Sequence, residues 1–103
     1  MARSTQYFGI QITLTQATAT KLLTALQAVD PNIPPTVREL TIQCDSVATI
    51  QVGDAAISTT RYGYFLTTGA SKTYRSSSVQ DVPLGAIFLL STGAAKVNIE
   101  GWS

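Results

Sequence analysis

A chain of 103 residues and 10.9 kDa can bury one hydrophobic core and is too short for two. Charged residues are 13% of it with a net charge of +1, and fifteen threonines and nine serines supply most of the polar surface, a composition poorly protected against association and suited to contact with other protein. The basic residues are spread singly and the longest apolar run is Gly85 to Leu90, which argues against nucleic-acid binding and against a membrane span of roughly 20 residues.

Residues 1–6 read as a polar arm ahead of a domain covering 7–103. The arm has no apolar h-region, so it is not expected to be a signal peptide; it either lies against a neighbouring subunit, with Arg3 as a contact, or is a disordered terminus. Phe8, Ile10, Ile12 and Leu14 alternate with Gly9, Gln11 and Thr13, which predicts a strand over Tyr7 to Thr15 with one apolar face. From Gln16 the period changes. Ala19, Leu22, Leu23, Leu26 and Val29 at 3, 4 and 7 spacings predict an amphipathic helix over about 16–29, with Thr15 or Thr18 as its cap. Three of the four prolines fall in or beside the Pro-rich connector 30–35, which must stop the helix and stiffen the path onward.

Leu40, Ile42 and Cys44 alternate with Glu39, Thr41 and Gln43, and after Asp45-Ser46 the alternation resumes at Ala48, Ile50 and Val52. That pattern predicts a β-hairpin with one wet face, ending at Gly53-Asp54. Cys44, the single cysteine, falls on the apolar side, as a buried thiol would; no disulfide within the chain is possible, in keeping with synthesis in a reducing cytosol. Further strands are expected around Tyr62 to Leu66 and Thr73 to Arg75, with a turn at Thr68 to Ser71 between them. Ser76-Ser77-Ser78 is a polar loop. Ala86 to Leu90 has no wet side and belongs in the middle of a sheet covered on both faces, or at an interface. Val97 and Ile99 alternate with Asn98 and Glu100 in a last strand that ends at Gly101-Trp102-Ser103. About seven strands and one short N-terminal helix make the expected fold mainly β, an antiparallel β-sandwich or jelly-roll-like barrel.

Chemistry has little to work with. No histidine is present, which removes the commonest general base and metal ligand. The six carboxylates form no pair at suggestive spacing, no Asp-x-Asp calcium loop occurs, and no Gly-x-Ser-x-Gly elbow is found. No catalytic residue, cofactor or metal site is expected. Asp45 and Asp54 fall at strand ends, where each can cap its own turn. The aromatic residues remain as contact candidates. Tyr62 and Tyr64 are expected to share one strand face, opposite Phe65; with Tyr74 and Trp102 they would either stack sugar rings or fill a core rim or subunit interface. Trp102, near the chain end, is the strongest interface anchor, and Arg3, Tyr7, Tyr62, Tyr64, Tyr74 and Trp102 form the expected partner interface.

The run PPTVRELTIQ (Pro34 to Gln43), then VATIQVGDAAIS (Val47 to Ser58), then YGYFLTTGASKTY (Tyr62 to Tyr74), resembles small structural proteins of tailed bacteriophages. In that group a helical lead-in precedes an R-x-L-x-I-Q strand, a V-x-V-G-D strand, a G-x-x-L-x-x-G-x-S turn and a last strand matched here by Ile87 to Ile99. The resemblance covers about the last two-thirds of the chain and implies a non-enzymatic virion protein, a capsid cement or decoration protein. Such a protein binds the major capsid protein or other virion proteins as a homo-dimer or homo-trimer, and is made in the bacterial host cytoplasm. A tail- or fibre-associated module, or a carbohydrate- or receptor-binding sandwich, is the alternative.

Overall fold

The computed structural model describes residues 7–16, 18–45, 49–58, 60–77 and 80–103. In chain order these form β1 (Tyr7–Leu14), β2 (Thr20–Lys21), helix α1 (Leu22–Val29), β3 (Thr36–Val37), β4 (Glu39–Cys44), β5 (Ile50–Gly53), β6 (Tyr64–Leu66), β7 (Ser71–Arg75), β8 (Val82–Pro83), a 3-10 turn (Leu84–Ala86), β9 (Phe88–Ser91) and β10 (Ala95–Trp102). All strand pairs are antiparallel. One four-stranded sheet runs β1-β10-β4-β7, a second runs β2-β9-β5-β6, and β3 pairs with β8. The protein is thus mainly β with a single described helix and a sandwich-like arrangement, and neither four-stranded sheet closes on itself among the described residues.

Period-two alternation builds the first sheet. Phe8, Ile12 and Leu14 of β1, Val97 and Ile99 of β10, and Leu40, Ile42 and Cys44 of β4 are all buried in one cluster. The cluster continues through Ile50 and Val52 of β5, Leu66 of β6 and Leu89 of β9, so the inner faces of both sheets meet there. Each fully buried Leu or Ile side chain contributes about 1.5–3 kcal/mol over its exposed state. Leu22 and Leu26 of α1, Val37, Leu84 and Ile33 of the connector fill the same core. No described helix is long and apolar enough to cross a membrane.

Two expected elements are corrected. The described residues 16 and 18–21 are not helical: Gln16 bridges Ser91, and Thr20 and Lys21 pair with Leu89 and Phe88, so the helix begins at Leu22, whose N–H donates to Ile87 O at 2.9 Å. Backbone groups committed to β9 override a side-chain periodicity that would otherwise carry the helix back to Gln16. Neither Thr15 nor Thr18 caps it; Lys21 occupies the cap position without a side-chain hydrogen bond. The end lies where expected, with Asp30 Oδ1 accepting from Asn32 N–H at 3.0 Å just before the prolines.

The second correction concerns the expected hairpin. β4 and β5 do not pair; β4 joins β10 and β7, while β5 joins β6 and β9 in the other sheet. The chain crosses between the sheets through a segment that includes 46–48, which lies outside the described residues. β5 has no wet face either, because Ile50, Gln51 and Val52 are all buried. The unbroken apolar run in β9 does sit inside its sheet, between β2 and β5.

Two glycines hold the outer end of the β1–β10 pair. A Cβ on Gly101 would run into the ring of Phe8, its partner across the pair, on the buried face. A Cβ on Gly9 would come within 2.9 Å of the Tyr7 hydroxyl on the outer face. Aromatic rings laid over strand glycines replace the missing side-chain cover. Gly101→Ala should cost about 1–3 kcal/mol by urea denaturation, since the Phe8 ring is walled in. Gly9→Ala should cost less, because the exposed Tyr7 side chain can swing aside; equal losses at both positions would contradict this packing.

Candidate functional site

Strands β1, β10, β4 and β7 turn every second residue away from the core, and the register lines these residues up in rows. The first row is Tyr7, Trp102, Glu39 and Arg75; the second is Gly9, Glu100, Thr41 and Thr73; the third is Gln11, Asn98, Gln43 and Ser71. The charges on this face are Glu39 and Arg75 at one end, Lys96 at the other, and Glu100 in its contact with Tyr7; the other outward residues of the second and third rows are amide, hydroxyl or glycine.

Cross-strand bonds fix the rows. Gln11 Nε2 donates to Asn98 Oδ1 at 3.0 Å and to Asp45 Oδ2 at 3.2 Å, and Asn98 Nδ2 donates to Gln43 Oε1 at 3.2 Å. The hydroxyls of Thr41 and Thr73 lie 3.0 Å apart, and Arg75 Nε stands 3.6 Å from Glu39 Oε2. Exposed contacts of this kind contribute only about 0.2–1 kcal/mol each. Their effect is to hold side chains in place on a surface.

Tyr7 and Trp102 close one end of this face. Their rings are 4.6 Å apart at a 50° tilt, and both remain exposed, at 50% and 41%. Tyr7 lies back over Gly9, and its hydroxyl donates to Glu100 Oε2 at 3.0 Å. That bond to the carboxylate, with desolvation and the Glu100 charge acting in the same sense, holds the Tyr7 phenol above its ordinary pKa. Beside the Tyr7 ring, a shallow depression of about 430 Å³ opens between Gln11, Gln43, Asn98 and Glu100.

The remaining expected site residues lie elsewhere. Tyr64 on β6 and Tyr74 on β7 flank the Lys72 ammonium, which stands 4.9 Å and 5.4 Å from their ring centres. Lys72 and Tyr74 are on the core-facing side of an edge strand, so this cluster joins the rims of the two sheets. Burial pushes the Tyr74 phenol up, and repulsion from Tyr64 adds to it. Tyr62 does not share a strand face with Tyr64: it precedes β6, and its ring packs at 5.9 Å against Phe65. The reason is the tight turn in which Ser58 and Arg61 exchange backbone hydrogen bonds, which delays the strand to Tyr64. Arg3 lies outside the described residues.

Asp54 caps its own turn as expected, accepting from Ala56 N–H at 3.0 Å, and it also accepts from Arg61 Nη2 at 2.9 Å. The guanidinium first, and the Ala56 N–H second, hold its carboxyl below the usual range. Asp45 instead takes Gln11, and the rest of its turn is outside the described residues. Cys44 is buried on the core side of β4. Among the described residues no three His, Cys, Asp or Glu side chains gather as a metal site would require.

The expected interface is therefore three separate groups, of which only Tyr7 and Trp102 are brought together on a broad surface. Gln11, Gln43, Asn98 and Glu100 were missed as its members. Their alternation placed each on a wet side, but the pairing of β10 with both β1 and β4 carries no local sequence signal. Compared with known proteins, the chain matches no protein-family model, no curated protein and no solved structure.

Tyrosine-resolved NMR titration should find Tyr7 and Tyr74 ionising above the ordinary value of 10.0. Glu100→Gln should bring Tyr7 back toward that value and leave Tyr74 raised. Both folded values are raised, so the stability these two phenols contribute is complete below 10 and lost as pH rises through them. An unchanged Tyr7 titration in Glu100→Gln would remove the hydrogen bond as the cause.

Proposed function

We propose that this chain is a non-enzymatic structural protein of a tailed-phage virion, binding an assembled capsid as a cement or decoration protein. The observation that carries the proposal is the exposed Tyr7–Trp102 pair at the margin of a four-stranded face whose middle is amide and hydroxyl. Aromatic anchors beside a polar, charge-poor surface are the composition of a protein-binding patch. The resemblance of Pro34 to Gln43, Val47 to Ser58 and Tyr62 to Tyr74 to phage structural proteins supplies the kind of partner. On a shell, many copies act together, and modest contacts become strong attachment through effective concentration.

Trp102 is at the end of β10 and is not part of the buried cluster. Trp102→Ala should therefore leave the fold intact while lowering capsid occupancy, read by co-sedimentation with assembled shells. Full occupancy by a folded Trp102→Ala protein would count heavily against this surface as the contact.

A second proposal is favoured by the depression between Gln11, Gln43, Asn98 and Glu100. Planar amides, a carboxylate and a flanking tyrosine are side chains that bind sugar hydroxyls and ring faces, which suits a carbohydrate- or receptor-binding module of a tail or fibre. Absence of any binder on a glycan array, at protein concentrations where lectins respond, would remove it.

A further inference from the structure

Among the described residues the two four-stranded sheets leave four open edges, at β1, β7, β2 and β6. Three of these are poor templates for strand addition. β2 and β6 are two and three residues long. β7 carries Lys72 turned toward the core side between two tyrosine rings, with Arg75 at its end. Short length and inward-pointing charge are the devices by which edge strands are protected.

β1 has neither device. It runs for eight residues, reads YFGIQITL, and contains no charge and no proline. Among the described residues its only ladder partner is β10, and no backbone hydrogen bond from a loop or the helix reaches residues 7–14. In an antiparallel ladder the N–H and C=O groups of alternate residues point away from the neighbour, so half of those on β1 face outward. Ile10 shows the same incompleteness in its side chain: it is only partly buried, while Phe8, Ile12 and Leu14 on the same face are buried.

We propose that β1 pairs antiparallel with β1 of a second copy of this chain across a two-fold axis, joining the two sheets into one. The partner has to be an extended strand, because only a strand satisfies a row of alternate backbone groups. A second copy fits for a specific reason. About a two-fold axis, residues directly opposite one another lie on the same side of the sheet, so apolar meets apolar and polar meets polar. With the axis at Ile10, Ile10 covers its own counterpart, Phe8 lies opposite the partner's Ile12, and Gly9 lies opposite the partner's Gln11. No charge meets a like charge anywhere along the strand, and the partly exposed Ile10 becomes covered. This pairing is independent of whether the chain sits on a virion.

The test uses the full chain. Sedimentation equilibrium should show a concentration-dependent dimer. Amide exchange followed by NMR should show that the residues of β1 whose N–H points away from β10 become protected as the dimer forms, while those facing β10 are protected throughout. Ile10→Lys, which copies the device at Lys72, should weaken dimerisation at least about tenfold through like charges at the axis. A monomer over the whole concentration range would overturn the proposal. So would a dimer in which the outward amides of β1 exchange as fast as in the monomer, and the exchange pattern decides the matter even if Ile10→Lys fails to fold.

Discussion

Strand β10 is the constraint on which the rest depends. It is eight residues long and lies inside its sheet, with β1 on one side and β4 on the other. Its alternation is strict: Ala95, Val97, Ile99 and Gly101 are buried, while Lys96, Glu100 and Trp102 are exposed. A slip of one residue would place every apolar side chain in water and every polar one in the core. Phe8 over Gly101 fixes the same register by shape, since the ring occupies the space of an absent side chain. Because β1 comes from the start of the described chain and β10 from its end, one pairing brings Tyr7 against Trp102.

The candidate surface follows from that register. None of its residues is unusual alone. Gln11, Asn98 and Gln43 become a hydrogen-bonded row only because three strands distant in sequence place them side by side. A composition of threonine, serine, glutamine and asparagine thus gives a face that is polar yet carries little charge to repel an approaching protein. Fully hydrated lysines and glutamates would have to be desolvated on contact, whereas hydroxyls and amides can exchange water for a partner's backbone at small cost.

Local patterns were legible in the sequence wherever the physics was local. The strands around Phe8, Leu40 and Val97, the proline stop after Val29, the turn at Gly69 and the buried Cys44 all follow from period, propensity or turn chemistry. What could not be read was the assignment of strands to sheets. β4 and β5 look like a hairpin by spacing, yet they go to different sheets, because pairing is decided by which faces complete the core and not by proximity in the chain. The helix start failed for a related reason: Thr20 and Lys21 are taken by β9 before the amphipathic period can act. Tyr7 was legible as a contact and Trp102 as an anchor, but their meeting at 4.6 Å was not, since it needs the β1–β10 pairing.

The proposed partner contact is the outer face of the β1-β10-β4-β7 sheet, and not the exposed rings of Tyr62 and Phe65 at β6 of the other sheet. Hydroxyl-radical footprinting of the protein, free and bound to assembled capsids, measures this directly, because it reports each aromatic side chain separately. Oxidation of Tyr7 and Trp102 should fall on binding while Tyr62 and Phe65 react as before. Loss of reactivity at Tyr62 and Phe65, with Tyr7 and Trp102 unchanged, would contradict the assignment of this face.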